Sequence, residues 1–276
     1  MRDFAKNIVN APAAAKLGMA IIAVFVFAAV FAPVITPYSE TEVVGDVWEE
    51  VGGQFFLGTD HIGRDLYTRL VYGARNTIAI AFVTTMLSFA VGISGGFLAA
   101  IVGGWVDQAL SRVVDILMAI PILIFALMIL SVLGTSVTTL IVVIALLDST
   151  RVYRLSRAVA MNVEVMDYVE VARLRGEGIW YLMRYEVLPN TLAPMVAEFG
   201  LRFCFVFLFI SSLSFLGLGI QPPTADWGSM VRENVSGFDF GIMKALMPAL
   251  AIAFLTIGVN LVVDWFLQKT SGIKDE

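Results

Sequence analysis

Long apolar runs alternate with shorter polar intervals along the whole chain. The apolar runs occupy 17–35, 78–102, 116–147, 192–218 and 245–263, and the intervals between them carry most of the charge. A helix needs roughly 20 apolar residues to cross about 30 Å of hydrocarbon. The pattern therefore predicts an all-α polytopic membrane protein.

The run at 116–147 decides the number of spans. It contains no charged residue, yet it is too long for one span and short for two. Cytoplasmic loops are enriched in Lys and Arg. If the run forms two spans, near 116–133 and 136–150 with a turn near Gly134, the arginines between 151 and 184 lie on the cytoplasmic side. If it forms one span, those arginines lie on the external side. We therefore expect six transmembrane helices with both termini cytoplasmic.

The ends of these spans carry charge. Arg112 and Asp115 precede the third span and Asp148 closes the fourth, so we expect these side chains to reach into membrane depth under protein cover. The first run follows basic residues and has no small-residue cleavage site before Pro33. We expect it to be a retained signal-anchor helix rather than a removed signal peptide.

A polar interval at 168–190, YVEVARLRGEGIWYLMRYEVLPN, stands out between the apolar runs. Good helix formers follow Asp167, a predicted N-cap, and Gly176 ends that helix. A second helical pattern at 179–187 leads to Pro189, which suits the first turn of the fifth span. Charges of both signs favour a protein partner over anionic lipid. The pattern indicates a docking segment rigidly joined to a span.

Composition narrows the function classes. The chain is 59% hydrophobic and 15% charged with a net charge of −5, which excludes a nucleic-acid binder. Cys204 is the single cysteine and His61 the single histidine, so neither residue type can build a metal site alone. The sequence has no G-x-x-x-x-G-K-[ST] loop. We expect no enzyme activity in this chain and an energy source outside it.

Two external stretches and one intramembrane pair are further candidates. In 58–65, Asp60 can accept from nearby N–H groups and Gly63 permits positive φ, while Arg64 and Asp65 are expected to tie the loop down. In the second stretch, 221–228, Pro222 and Pro223 are expected to fix a rigid exit from the fifth span, and Trp227 suits the membrane interface. The two stretches lie in loops predicted at 36–75 and 219–244. The alternative is that both stretches only shape the external surface. Glu198 and Arg202 lie four residues apart, on one helix face. They either line a path or form a structural pair.

The interval at 168–190 resembles the cytoplasmic coupling loop of ABC-importer permeases, whose pattern is EAA, three residues, Gly, nine residues, I-x-L-P. The residues that match in register are Glu170, Ala172, Gly176, Leu188 and Pro189, and the two departures are Val171 and Glu186.

Two further stretches, 58–75 and 215–230, resemble signatures of the C-type permease of the dipeptide/oligopeptide/nickel subfamily. Arg112, Asp115 and Pro121, together with Asn260 and Asp264, fit the same subfamily, whereas Ile210 stands where many relatives have an acidic residue.

The resemblance implies a type I importer fold in three parts. An anchor helix and extracytoplasmic loop would occupy 1–73, the transmembrane permease domain 74–264, and a cytoplasmic tail 265–276. It implies a multi-pass protein of a bacterial or archaeal inner membrane. The expected partners are a second permease in a heterodimer, two ABC ATPase subunits, an extracytoplasmic solute-binding protein and membrane lipid, but no nucleic acid.

The implied function is half of the translocation path for a peptide-like solute in an ATP-driven importer. ATP and Mg would bind the partner subunits, and this chain would hold no cofactor, no metal and no catalytic residue. Alternatives are the same class carrying nickel, an opine or an oligosaccharide, a secondary transporter driven by an ion gradient, and a scaffold without transport.

The residues expected to contribute fall into three groups. The ATPase-coupling residues are Tyr168, Glu170, Ala172, Arg173, Gly176, Leu188 and Pro189. The external signature residues are Gly58, Thr59, Asp60, Gly63, Arg64, Asp65, Pro222, Pro223, Trp227 and Gly228, and the intramembrane polar residues are Glu198, Arg202, Asn260 and Asp264.

Overall fold

Residues 11–271 are described by a computed structural model, and they are helical with no β-strand, only isolated bridges. This confirms the all-α class. The predicted cytoplasmic N-terminus with Arg2 and Lys6, and the end of the tail with Lys274, lie outside the described residues. The α-helices are α1 Ala13–Ile35, α2 Leu66–Val102, α3 Gly104–Ala119, α4 Ile122–Leu133, α5 Val137–Glu164, α6 Asp167–Leu174, α7 Ile179–Tyr181, α8 Leu188–Phe215, α9 Trp227–Asn234 and α10 Leu246–Ser271.

Within the described residues, four helices are long and apolar enough to cross a membrane: Ala13–Ile35, Leu66–Val102, Ile179–Phe215 and Leu246–Lys269. The bent pair α3 and α4 would make a fifth if it is one span. Helix α5, which contains the predicted fourth span, carries Asp148 and several arginines and is not among them. The count of six spans stays a prediction.

The predicted third span, 116–133, is not one straight helix. Helix α3 ends at Ala119, α4 begins at Ile122, and the two axes meet at 89°. Pro121 lacks an N–H and disfavours the helical conformation in the residue before it, and Ile120 is extended, with φ −91° and ψ 131°. The turn predicted near Gly134 is present, with φ +85° at that glycine.

Two predicted loops contain more helix than expected. The polar stretch 36–75 was expected to be a loop, but α2 already begins at Leu66. The external stretch 219–244 contains α9 and a 3₁₀ segment, Val235–Phe240. Asp226 explains the start of α9, because its carboxylate accepts from the backbone N–H of Ser229 and so caps the helix.

The chain divides into two compact units. Of the described residues, the first contains 11–82, Gly134–Leu140 and 204–271. In it α1 packs on α10 through small residues: a methyl group added at Gly18 would lie 2.6 Å from the carbonyl oxygen of Gly258. Such close backbone approach is typical of helices that associate in a membrane.

A buried tryptophan lies in the core of the first unit. Trp227 is fully buried, and its ring makes edge-on contacts with Phe25 at 5.3 Å and Phe207 at 6.1 Å between centroids. Its indole N–H donates to the carbonyl of Leu70 at 2.8 Å. The sequence placed this residue at a membrane interface, but the structure makes it a core residue with a satisfied donor.

The second unit consists of Val83–Leu133 and Ile141–Phe203. Here α2 packs on α5 at its glycines: a methyl group added at Gly92 would lie 2.6 Å from Cβ of Val152. The hydroxyl of Ser156 donates to the carbonyl of Gly92 at 3.0 Å. A backbone contact of this kind requires a residue without a side chain at position 92.

Candidate functional site

The segment 168–190, called the coupling segment below, is a short helix joined to a long one. Helix α6 begins at Asp167 after an extended Met166, so the predicted N-cap Asp167 is the first helical residue instead. Gly176 has φ +82°, as predicted for a glycine that ends a helix. From Ile179 the chain is helical without interruption to Phe215. The second part of the segment, from Ile179, is therefore continuous with a long apolar helix.

Pro189 sits inside this continuous helix, at a point where the hydrogen-bond pattern changes. The preceding residues, Leu182–Val187, form a π-helical turn, and the N–H of Leu188 donates to the carbonyl of Met183, five residues back. A proline cannot donate to the residue four positions before it. Wide turns of this type occur inside α-helices and absorb such a mismatch.

One side of the coupling segment is buried in the second unit. Val169, Ala172, Leu182 and Val187 are buried in one apolar cluster with Phe97 and other residues of the neighbouring helices. Ala172, one of the motif residues, therefore packs inward. The burial fixes the segment to the unit through apolar contact.

Arg173 ties the coupling segment to its surroundings. Its guanidinium donates to the carbonyl of Ile101 at 2.9 Å and pairs with Glu164 at 2.8 Å. Of the other predicted coupling residues, Glu170 and Tyr168 are exposed. The motif therefore contains a buried residue, Ala172, as well as the exposed Glu170 and Tyr168.

The outward side of the coupling segment is unusually apolar. Leu174 is 81% exposed and Trp180 68% exposed, and Val171 and Tyr185 are also exposed. Sequence reasoning singled out the charges of this segment and missed Leu174 and Trp180. A tryptophan and a leucine in an otherwise polar interval are the signal that could have found them. Exposed apolar patches rimmed by polar residues mark contacts with other proteins or with the membrane.

In the first unit, the predicted external turn is built around Asp60. One carboxylate oxygen accepts from the N–H groups of Ile62 and Arg64, both at 3.0 Å, and the other accepts from Nε of Arg64 at 2.7 Å. Gly63 has φ +86°, as predicted. Asp65 accepts from the N–H of Thr68 at 2.8 Å and caps the start of α2. The loop is tied down as the sequence indicated.

Two residues that the sequence did not indicate, Arg69 and Glu233, complete this turn. Glu233 pairs with Arg64 at 2.9 Å and with Arg69 at 3.0 Å, and Arg69 also lies 3.3 Å from Asp60. Both guanidiniums are buried. The carboxylates of Asp60 and Glu233 balance the guanidiniums of Arg64 and Arg69. Buried charges are tolerated when they are paired in this way.

The same cluster brings His61 within 3.9 Å of both Asp60 and Glu233, so three groups that could ligate a metal ion converge. The two carboxylates are already engaged by Arg64 and Arg69. A divalent cation would have to displace the guanidiniums or lie beside them. The donor set therefore fits an ion-pair cluster better than a metal site.

Further contacts hold the external signature residues. Lys244 donates to the carbonyls of Thr59, at 2.8 Å, and Glu49, and its burial lowers the pKa of its ammonium group. A methyl group at Gly58 would lie 2.6 Å from Nζ of Lys244. Burial raises the pKa of Asp226, which also accepts from Thr77 at 2.8 Å.

The rest of this signature follows the same fold. A methyl group at Gly228 would lie 2.9 Å from Cα of Ser211, so this position allows close approach of α9 to α8. Pro222 and Pro223 are exposed and joined by a cis peptide bond.

The intramembrane pair gains a third charge. Glu198 and Arg202 form the predicted contact at 2.8 Å, and Arg202 lies 3.6 Å from Asp148. Asp148 is 0% exposed and accepts from the hydroxyl of Ser88 at 2.9 Å. Its predicted cover is confirmed. The same prediction is not borne out within this chain for Arg112 and Asp115: both are exposed, although Asp115 pairs with Arg154 of α5 at 2.7 Å.

Among residues 11–271, the two polar residues of the last helix join no charge cluster of their own unit. Asn260 donates to the carbonyl of Thr256 at 3.0 Å, one turn back, and Asp264 is exposed. An asparagine bonded within its own helix is satisfied without a partner helix.

Comparison with known proteins decides what kind of protein carries these features. Residues 92–271 match the family described as binding-protein-dependent transport system inner membrane component. The chain belongs to this family. The matched range contains the coupling segment and the charged triad of Asp148, Glu198 and Arg202, so this permease carries both features within its family domain.

Curated relatives of the permease extend the likeness beyond that range. It is 36% identical over 255 residues to a di/tripeptide transport system permease protein of Pseudomonas aeruginosa, covering 90% of this chain and 84% of the relative. It is 34% identical over 258 residues to a dipeptide transport system permease protein of Escherichia coli, covering 91% and 86%. A glutathione transport system permease protein of Pectobacterium atrosepticum is 31% identical over 209 residues, with 76% and 69% covered.

A solved structure shares the fold of the permease. The crystal structure of an amino acid ABC transporter with histidines aligns with a TM-score of 0.55 at 16% identity, covering 74% of this chain and 94% of that one. At this identity the likeness concerns the fold alone.

Proposed function

We propose that the chain is one of two permease subunits in an ATP-driven importer and forms half of the translocation path for a peptide-like small solute. Support comes from the family match and from relatives whose names describe dipeptide, di/tripeptide and glutathione transport. An extracytoplasmic binding protein delivers the solute. Nickel, opines and oligosaccharides are the alternative cargoes within the same class.

The coupling segment carries the proposal. Its inward side is fixed by buried apolar residues and by Arg173, and its outward side presents Leu174 and Trp180 to a partner. Tryptophan is among the residues that most often dominate the energy of protein interfaces, so Trp180 is the expected anchor and Leu174 adds apolar contact beside it. The continuous helix Ile179–Phe215 then links that partner to a membrane span.

In the proposed arrangement, six spans place both termini and the coupling segment in the cytoplasm of a bacterial or archaeal cell, with the Asp60 cluster outside. Two ABC ATPase subunits dock on the coupling segments of this chain and of a second permease in a heterodimer. ATP and Mg bind those ATPases, while this chain binds no cofactor.

Transport then follows from a population shift. ATP closes the ATPase dimer and brings the two coupling segments together, which tilts the joined spans toward the outward-open state. Nucleotide can shift that equilibrium only by its differential affinity for the two states. Because the join between segment and span is helical, little of the movement is lost in a flexible loop.

The test is uptake by the complete complex in proteoliposomes with binding protein and radiolabelled Ala-Phe. The proposal expects uptake that requires internal ATP and is abolished by vanadate. Uptake that survives vanadate but stops with an uncoupler would identify a carrier driven by an ion gradient. ATP-driven uptake of nickel, but of no peptide, would keep the transporter class and change the cargo.

A further inference from the structure

Two cavities in the second unit share a wall. A polar cavity of about 400 Å³ lies between α3 and α5, and an apolar cavity of about 480 Å³ lies between α2, α3, α4 and α5. Val114 and Tyr153 line both of them. Small-molecule sites in proteins range over roughly 300–1,000 Å³ and combine apolar walls with a few polar groups.

The polar cavity presents one accessible ion pair. Arg154 and Asp115 meet at 2.7 Å through a single pair of atoms, and each side chain is 53% exposed. A neighbouring pair, Arg157 and Asp107, is bidentate and less exposed. The pair of Arg157 and Asp107 has the geometry of a structural bridge between helices. The pair of Arg154 and Asp115 leaves its charges accessible to a ligand.

Hydroxyl groups extend the polar wall. Ser111 and Tyr153 lie 3.0 Å apart, oxygen to oxygen, between the two ion pairs. The positions of Ser111 and Asp115 are four apart on α3, so they share a helix face. The carboxylate of Asp115, the hydroxyls of Ser111 and Tyr153 and the guanidinium of Arg154 therefore line the same polar cavity.

The apolar cavity next to this wall is lined by α2, α3, α4 and α5. Gly92 and Gly95 face α5 with no side chain, and Val114, Phe125 and Leu146 complete part of the surface. A side chain of aromatic size fits a volume of this order.

We propose that the two cavities form a subsite for a short peptide with free termini. The α-carboxylate binds Arg154, the α-ammonium binds Asp115, and an apolar side chain occupies the adjoining cavity. Binding exchanges one accessible ion pair for two charge-assisted contacts. The subsite rests on the proposed import of peptides and names the chemistry that this chain would recognise in them.

A photoreactive dipeptide tests the location directly. The probe is Ala-(4-benzoyl)Phe, applied to the detergent-solubilised complex without binding protein and followed by mass spectrometry. We expect labelled fragments from 110–118 and 142–157, and competition by excess Ala-Phe but not by its N-acetylated amide. Labelling elsewhere only, or labelling that Ala-Phe does not compete, overturns the subsite.

Charge reversal separates recognition from structure. Asp115→Ala and Arg154→Ala should each lower uptake of Ala-Phe about tenfold or more, the loss typical of one charge-assisted contact. The double variant Asp115→Arg with Arg154→Asp restores an ion pair but exchanges the two charges along the site, so uptake stays low. If this exchange restores uptake, the pair is structural and the proposal fails.

Controls make these outcomes specific. Lys269→Ala, an exposed residue near the end of α10, should leave uptake unchanged. Each variant is checked for co-purification with its partner subunits and for basal ATP hydrolysis. If the unaltered complex takes up no peptide with ATP, the proposed function fails. If it does and the single variants match it, only the subsite fails.

Discussion

Replacing Arg202 by methionine should destabilise the permease strongly. The change keeps a long side chain but removes the positive charge that lies 2.8 Å from Glu198 and 3.6 Å from Asp148. Asp148 is fully buried, so its charge loses compensation that water cannot replace. Breaking a buried ion pair from one side costs about 3–5 kcal/mol.

We take the lower end of that range, because Arg202 and Glu198 are partly exposed. About 3 kcal/mol corresponds to a fall in melting temperature of roughly 10 °C for a chain of this size. Thermal unfolding of the purified complex, followed by size-exclusion chromatography after heating, measures it. The control is Arg112→Met, which removes an exposed arginine and should change little.

A second substitution tests the cause. Asp148→Asn in the Arg202→Met background removes the charge that has lost Arg202 as a partner and keeps an acceptor for Ser88, which donates at 2.9 Å. We expect it to recover most of the lost stability, as interacting residues are non-additive. A single variant that melts within about 2 °C of the parent, or a double variant no better than the single, would refute the network.

Three further substitutions test the fold around the sites. Glu233→Ala leaves two buried guanidiniums with less compensation and should cost about 3 kcal/mol in thermal unfolding, whereas Glu233→Gln, which keeps an acceptor, should cost less. Trp227→Ala removes a fully buried ring and should cost about 3–5 kcal/mol, while Trp105→Ala, at a 79% exposed position, should cost under about 0.5 kcal/mol by the same measurement. Gly176→Ala strains a residue with φ +82° and should cost about 1 kcal/mol, whereas Gly178→Ala, at φ −78°, should be near neutral; equal melting temperatures for these two would contradict the strain argument.

Local features were predictable from the sequence. The contact between Glu198 and Arg202 follows from four-residue spacing on a helix, and the turn at Asp60 follows from side-chain and glycine chemistry within a few residues. The glycine that ends α6 was identified for the same reason. In each case the interacting groups are close along the chain, so the helix or turn alone brings them together.

Long-range partners were not predictable in the same way. Arg64 meets Glu233 across 169 residues, and Asp148 meets Arg202 only because two helices pack. No pattern in one sequence specifies such pairs. The 89° bend at Pro121 was within reach, since proline disfavours helix in the residue before it. The uniform apolar character of 116–133 concealed the bend, because hydropathy indicates how long an apolar segment is but not whether its helix changes direction.

The apolar outer side of the coupling segment was overlooked for a different reason. Trp180 and Leu174 stand in a charged interval, and charge drew the interpretation toward polar contacts. Burial separates the apolar residues that pack inward, such as Val169, from those that stay exposed, such as Trp180. Composition alone cannot make that distinction.

The central claim is that this segment receives work from an ATPase. Its most direct test replaces Leu174 and Trp180 together by alanine and measures ATP-driven Ala-Phe uptake and co-purification of the ATPases. Loss of the Trp180 anchor alone should cost about 2 kcal/mol, so uptake should fall at least tenfold with loss of the ATPases, while Trp105→Ala behaves as the parent. Undiminished uptake and association in the double variant would contradict the account.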